Sequence, residues 1–384
     1  MLLNLSYNYD SVGNILSVSD GNGNSTSYQY DGDNQLVQTN DSSDGITTYT
    51  YDGVGNRIWK IHGSNSTHYT YNAENQLISG ESYNYTYDKN GNMISRSGKE
   101  GQINYSYDQE NRLVGITFPD GSTVSYDYSP LGFMIMRNQS GSESYFVNSP
   151  RLSRGYENIL AKYNETGVVV SRFVYGPGID EPLKIQIGNS SIFYHSDLIG
   201  SIRMLTDPSS NVVDRYRYQD FGYPSQQSYA LGDFHYLFTG RVWDNSTQLY
   251  HHRARWYDPT MGRFLSKDPA GMADGTNLYV YVRNNPVNNN DPSGLVTFKW
   301  LKKKVLWWTV TIGFKVKFST YETEAIAMGL GVGVTIAGSV PGGLPLAVVL
   351  AISSAIIGAC SYFGLGFVIY CYFIGLCPIF WCEA

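Results

Sequence analysis

Tyr51-Asp52-Gly53-Val54-Gly55-Asn56-Arg57-Ile58 reads as the end of one β-strand, a turn, and the start of the next. The tyrosine closes an alternating run, Thr48-Tyr49-Thr50-Tyr51. The Asp and Gly/Asn positions suit a turn that tolerates positive φ, and the aliphatic opens the following strand. The pattern recurs: Tyr-Asp or a close variant begins units at Tyr9, Tyr30, Tyr51, Tyr71, Tyr87, Tyr107 and Tyr128, spaced by 21, 21, 20, 16, 20 and 21 residues. The same Asn-plus-aliphatic step follows in Gly13-Asn14-Ile15-Leu16, Asn34-Gln35-Leu36, Asn75-Gln76-Leu77, Gly91-Asn92-Met93-Ile94 and Asn111-Arg112-Leu113. A repeat of this length is one supersecondary unit that cannot bury its own apolar face, so neighbours must stack. Ser27-Tyr28-Gln29-Tyr30, Tyr83 to Tyr87 and Tyr105-Ser106-Tyr107 alternate with period two, giving each unit a tyrosine-lined face. Such faces serve as packing ladders rather than sugar-stacking platforms.

Composition agrees. The chain of 384 residues holds 33 Tyr and 40 Gly, the profile of many short strands joined by tight turns. Its net charge of −6 is unevenly spread: residues from Val296 on carry six lysines against three glutamates, +3, which leaves −9 for the body. An acidic body argues against nucleic-acid binding as its main task, because phosphate contacts need a basic surface. All 4 cysteines lie in the tail (Cys360, Cys371, Cys377, Cys382), so the body needs no disulfide and the tail can form up to two in an oxidising compartment. The start lacks the features of a signal peptide and runs straight into a repeat, which suggests the C-terminal part of a longer ancestor or a gene fragment.

The sharpest boundary is Pro286-Val287-Asn288-Asn289-Asn290-Asp291-Pro292-Ser293-Gly294-Leu295. Upstream lie Gly240-Arg241, Leu249-Tyr250-His251-His252-Arg253-Ala254-Arg255-Trp256-Tyr257-Asp258-Pro259, Gly262-Arg263-Phe264, Asp268-Pro269, Asn277-Leu278-Tyr279-Val280-Tyr281 and Asn284-Asn285-Pro286. In this order the segments resemble the Rhs repeat-associated core of YD-repeat proteins, a family that includes the C subunits of insecticidal toxin complexes. The resemblance divides the chain into YD repeats (1–140), degenerate YD/Rhs repeats (141–239), the repeat-associated core (240–295) and a variable region (296–384). It implies a mainly β fold, a YD-repeat sheet spiral or partial shell; the region that follows reads, from its own residues, as a hydrophobic helical, membrane-active tail.

The resemblance also implies chemistry. In the family the core acts as an aspartic self-protease that frees the C-terminal region, so the scissile bond here falls between Leu295 and Val296. Asp268 and Asp291 are the carboxylates carried over, both in Asp-Pro positions. A close pair can share a proton, one acting as base and the other as acid, without metal or thiol. Gly294 lets the backbone approach such a pair. Asp-Pro pairs also form plain turns, as at Asp207 and Asp258, so the ordered Asp-Pro-Ser-Gly-Leu carries the weight. Asp274 is the weaker partner. His195 reads as a strand or turn residue. His251 and His252 point to opposite faces of a strand, poor geometry for one metal, and no cofactor is expected.

The tail opens with Lys299-Trp300-Leu301-Lys302-Lys303-Lys304-Val305-Leu306-Trp307-Trp308, which suits a membrane interface through Trp300, Trp307, Trp308 and the three lysines. Ala325 to Cys382 then runs 58 residues without a charged side chain, divided by Pro341-Gly342-Gly343 and long enough for spanning helices. The tail has no His and no Asp, so hydrolytic chemistry lacks its parts. Ten Asn-x-Ser/Thr sequons, at Asn4, Asn24, Asn40, Asn65, Asn84, Asn104, Asn138, Asn164, Asn189 and Asn245, either carry glycans or reflect abundant Asn and Ser in turns. Three readings stay open: a secreted polymorphic-toxin carrier with a membrane-active effector and a cognate immunity protein; a cell-surface structural or carbohydrate-binding protein anchored by its tail, meeting surface glycans; or an inactive fragment.

Overall fold

The computed structural model describes residues 3–21, 23–149, 158–225, 231–232 and 234–295, and in the tail the strands Phe298–Val305, Trp308–Phe318, Thr335–Ser339, Pro345–Val349, Gly366–Tyr372 and Ile379–Glu383. The repeats build a wall of antiparallel strands that pair strictly in chain order. Seven run from Leu5–Tyr9 to Asn65–His68, and fifteen more from Thr70–Tyr71 to Val212–Arg215. Tyr69 N donating to Ile58 O at 3.0 Å carries the meander from one sheet to the next.

Each Tyr-Asp step shows why these residues fold this way. Asp52 Oδ1 accepts from the amides of Val54 (3.0 Å) and Asn56 (2.8 Å), and its Oδ2 accepts from Asn56 Nδ2 (2.9 Å). The aspartate thus fills its turn's own backbone donors, while Gly55 takes φ 81. The same amide contacts recur at Asp10, Asp31, Asp88 and Asp108, and at Asn72. The tyrosine reaches back to a carbonyl at the start of the preceding strand: Tyr30 to Ile15, Tyr51 to Leu36, Tyr71 to Arg57 and Tyr128 to Leu113, at 2.7–2.8 Å. Asparagines tie one turn to the next, as in Asn56 Nδ2 to Asn75 Oδ1 at 2.9 Å. Register slips by one residue immediately before each of these tyrosines, for example at Thr50/Tyr51 and Thr86/Tyr87. A bulge at every unit adds twist on the same side, and the wall curls.

Curling brings the two ends of the wall together. Tyr49 Oη donates to Asp220 at 2.7 Å, and Arg217 stands 3.8 Å from Asp41. Between them lies a cavity of about 560 Å³ bordered by Tyr7, Tyr28, Lys60, Asp197 and Arg203. The inner face buries Leu36, Leu77, Tyr85, Leu113 and Tyr126.

A five-stranded sheet fills one end: Phe234–Tyr236, Val242–Asp244, Leu249–His252, Arg255–Asp258 and Arg263–Phe264. Trp243, Tyr250, Tyr257, Phe264 and Tyr281 form the middle of this plug, each at most 2% exposed. Burying side chains of this size contributes roughly 1.5–3 kcal/mol apiece, more than a single hydrogen bond along the wall. The plug fastens to the wall turn by turn, broadly in reverse chain order. Leu237 O accepts from Ile202 N, Asp244 from Tyr126 and Arg137, and Leu265 O from Met93 N. Asn284 donates to Gly55 O, Asn285 to Asn34 O, and Asn288 accepts from Ile15 N. Asparagine recurs because one amide can both donate and accept at a turn.

The helices expected of the tail do not appear among its described residues. Its described residues are strands, not helices, and among the described residues no helix is long and apolar enough to cross a membrane. The long hydrophobic helices were expected over Ala325 to Cys382 from missing charge and spanning length. Ahead of that stretch, Trp308 to Phe318 carries β-branched residues in a polar–apolar alternation, and residues of that kind favour strands. Within Ala325 to Cys382 the described residues belong to the strands Thr335–Ser339, Pro345–Val349, Gly366–Tyr372 and Ile379–Glu383, and the others lie outside the described residues.

Candidate active site

The plug hairpin Leu249–His252/Arg255–Asp258 turns at Arg253-Ala254, with Arg253 at φ 56. Asp291 to Leu295 is laid against this turn. His252 Nδ1 bonds the Asp291 carbonyl at 2.8 Å, Arg253 Nη1 donates to the Pro292 carbonyl, Ala254 N to the Ser293 carbonyl at 3.2 Å, and Arg255 Nε to the Gly294 carbonyl. Four successive residues hold four successive carbonyls, as an extended peptide is held in a groove. Gly294 stands at φ 75, where a Cβ would meet His252 O at 2.3 Å. No other residue fits there without moving the hairpin.

Two carboxylates meet on the same guanidinium. Arg255 Nη2 lies 2.8 Å from Asp268 Oδ2 and 3.4 Å from Asp291 Oδ2. Asp291 Oδ1 accepts from Gly294 N at 2.9 Å and Leu295 N at 3.1 Å, and from Ser293 Oγ at 3.2 Å. Asp268 Oδ1 accepts from Ala270 N at 2.8 Å, fixing the carboxylate at its own turn. The arginine is fixed in turn: Nη1 donates to Leu278 O at 3.1 Å and the guanidinium lies 3.6 Å over Phe264. All three charged side chains are buried, so each depends on the others and on the neighbouring amides for compensation.

The two histidines face apart, as a strand demands. His251 lies against Trp256 with centroids 5.0 Å apart, whereas His252 packs edge-on to Tyr257, Phe264 and Tyr281. Burial, and next the Arg241 charge, push both imidazoles well below their usual range, so both are neutral near pH 7. Neutral His252 can therefore donate from Nδ1 to the Asp291 carbonyl. Among the described residues no group of three or more His, Cys, Asp or Glu gathers to hold a metal. His195 lies in the strand Ser190–Ser196, its Nε2 2.8 Å from Thr206 Oγ1.

The structure thus brings together Asp268, Asp291, Gly294 and Leu295. Val296 and Trp307 lie outside the described residues. Trp300, Lys302, Lys303 and Lys304 fall on the strand Phe298–Val305, and Trp308 opens the next. Asp274 belongs to the short turn Gly271–Asp274. Sequence reasoning passed over His252, Arg253 and Arg255. The signal was present in Arg253-Ala254-Arg255, two cations inside a run of otherwise buried aromatic residues.

The teneurin YD-shell family model matches residues 1–291. The chain belongs to this family. Among curated proteins it is 31% identical over 232 residues to the tRNA(Glu)-specific nuclease WapA of Bacillus subtilis subsp. natto, covering 58% of this chain and 9% of that one. To toxin subunit YenC1 of Yersinia entomophaga it is 36% identical over 115 residues, 29% of this chain and 12% of the relative. The YD-shell chain described here therefore spans only about a tenth of the length of these relatives. A crystal structure of TcdB2-TccC3-Cdc42 superposes with a TM-score of 0.60 at 22% identity over 77% of this chain and 17% of that chain, which shows a shared fold.

Proposed function

We propose that this YD-shell chain is the carrier part of a polymorphic toxin, which cuts itself between Leu295 and Val296 and releases 296–384 as a membrane-active effector. The observation that carries this reading is the seating of Asp291 to Gly294, carbonyl by carbonyl, on the hairpin whose Arg255 also bonds both carboxylates. A peptide held in this way fixes Leu295, whose amide donates to Asp291 Oδ1 at 3.1 Å, and the proposed cut is on the carboxyl side of that residue. One carboxylate takes a proton from water as the oxygen adds to the Leu295 carbonyl carbon. The other, which enters the step protonated, gives its proton to the departing Val296 nitrogen, and the C–N bond breaks. Arg255 fixes where the pair sits, and positioning of this kind supplies much of the rate in a single-turnover reaction.

The relatives support the carrier role through their printed names, a tRNA nuclease and a toxin subunit. The tail's own residues favour membrane over nucleic acid. It has no His or Asp, whereas Lys299 to Lys304 with Trp300 are cationic and interfacial, and 58 uncharged residues follow from Ala325 to Cys382. The same composition suits secretion or display at a cell surface. The test is the intact mass of the full chain over time. Two products meeting at Leu295–Val296 in the wild type, and a whole chain in Asp268→Asn and Asp291→Asn, fit the proposal. A wild-type chain that stays whole at mildly acidic and neutral pH and travels with membranes would replace it with the anchored surface protein.

A further inference from the structure

One carboxylate of the wall reaches the cleavage segment from far away in the sequence. Asp180 lies in the turn between the wall strands Val169–Tyr175 and Pro182–Ile187, buried, at φ 51. That left-handed conformation is uncommon for a residue with a side chain, and strain of this kind persists only where the surroundings enforce it. They do so here: a Cβ on Gly240 would meet Asp180 O at 2.1 Å, so the plug leaves a glycine-sized seat for this turn. Asp180 Oδ1 accepts from Arg241 Nη1 at 2.8 Å and from Arg253 Nη2 at 2.5 Å, and its Oδ2 accepts from Arg253 Nη1 at 3.1 Å. Arg241 holds the His251 carbonyl through Nε and Nη2, at 3.0 and 2.7 Å. Arg253 holds the Pro292 carbonyl, between Asp291 and the glycine before the scissile bond.

We propose that Asp180 is a positioning residue for the cut: it keeps Arg253 on the Pro292 carbonyl, so that the cleavage segment is set only once this late part of the wall has closed on the plug. The inference rests on the self-cleavage reading above. Two buried guanidinium groups side by side repel each other, and Asp180 is the carboxylate that bonds both. Without it, Arg253 would lose both bonds that tie it to the wall and would feel the neighbouring Arg241 charge unscreened, loosening its hold on Pro292. The segment Asp291 to Leu295 would then lose one of its four carbonyl anchors, next to the carboxylate that must be aimed. A chain whose wall is unfinished would keep its tail attached.

The experiment follows the full chain by intact mass, with hydrogen exchange as a second measurement. Wild-type cleavage and its loss in Asp291→Asn establish the underlying reading. Asp180→Asn and Arg253→Gln are each expected to slow the cut by about tenfold or more, the scale of a small misplacement beside reacting groups. The double variant should be no slower than either single one, and Asp180→Glu should restore part of the rate. Purely structural damage would multiply across the pair instead. Hydrogen exchange is read in an Asp268→Asn background that keeps the chain whole. There, Asp180→Asn should speed exchange at Ala254, Gly294 and Leu295 but leave the strand Gly101–Tyr107 unchanged. Wild-type rate in Asp180→Asn, multiplicative effects, or exchange that rises equally throughout the wall would overturn the proposal. If the wild type itself does not cut, the self-cleavage reading falls, while the exchange pattern still decides whether Asp180 sets this segment. If Asp180→Asn does not fold, Arg253→Lys decides, since it keeps the charge beside Asp180 but loses the two-pronged grip; wild-type cleavage in that variant would overturn the proposal.

Discussion

Gly294 and Arg255 carry opposite kinds of constraint at the same place. Gly294 is required by space, because φ 75 and the 2.3 Å approach to His252 O leave no room for a methyl group. Gly294→Ala is expected to stop cleavage and to destabilise the chain by about 1–3 kcal/mol, read as a shift in the urea midpoint alongside intact mass. Arg255 is required by shape. A lysine keeps the charge but cannot donate to Asp268, Asp291, Leu278 and Gly294 from one rigid fork, so Arg255→Lys should slow the cut strongly while the fold survives. His251 and His252 add a pH dependence whose sign follows from their depressed titration. Folded, they refuse protons that the unfolded chain accepts near pH 6.5, so stability is present above that value and lost as pH falls below it. The loss approaches roughly 1.4 kcal/mol per pH unit for each group. A plot of Tm against pH should fall below pH 6.5 in the wild type and fall less in a His251→Gln/His252→Gln variant. Parallel curves would remove the assignment.

At the scale of one repeat, the Tyr-Asp pair divides its work. The aspartate satisfies its turn, and the tyrosine ties the strand end back to the previous strand. Asp52→Asn should be mild, because Asn72 already does this job, accepting from Glu74 N and Gln76 N at 3.0 Å each. Asp52→Ala leaves those donors without a side-chain acceptor and should cost about 1–3 kcal/mol. Tyr51→Phe removes only the bond to Leu36 O and should cost about 1 kcal/mol. Equilibrium denaturation of the three variants orders them, and an Asp52→Ala no weaker than Asp52→Asn would show that the turn does not need its carboxylate.

For the molecule as a whole, the plug matters more than any repeat. The wall's inner aromatic residues and the plug share one buried cluster that includes Tyr85, Tyr126, Trp243, Tyr250 and Tyr257. The wall without residues 234–291 should therefore expose a long apolar face and aggregate, where the full chain stays dispersed in the same buffer. The released tail is expected to leak dye from anionic vesicles, and changing Lys302, Lys303 and Lys304 to Glu should weaken this by removing the attraction to headgroups. Circular dichroism of the fragment with lipid separates a strand-based from a helical mode of insertion.

The repeat spacing, its period-two tyrosines and the Gly/Asn turn residues determined the wall by themselves, because bonds between neighbouring units are local and every unit repeats them. The order Asp268-Pro269, then Asp291-Pro292-Ser293-Gly294-Leu295, through its resemblance to the repeat-associated core, also pointed to two carboxylates and the place of the proposed cut. The absence of charge in the tail fixed its apolar character but not its secondary structure, since lack of charge carries no period. Only the tertiary structure decided that Asp268 and Asp291 meet on Arg255, that four carbonyls are held in register, and that Asp180 reaches Arg253 across 73 positions of sequence. Those meetings depend on how far the bulged wall curls before the plug closes it. Curvature of that kind accumulates over the whole meander and is written in no single repeat.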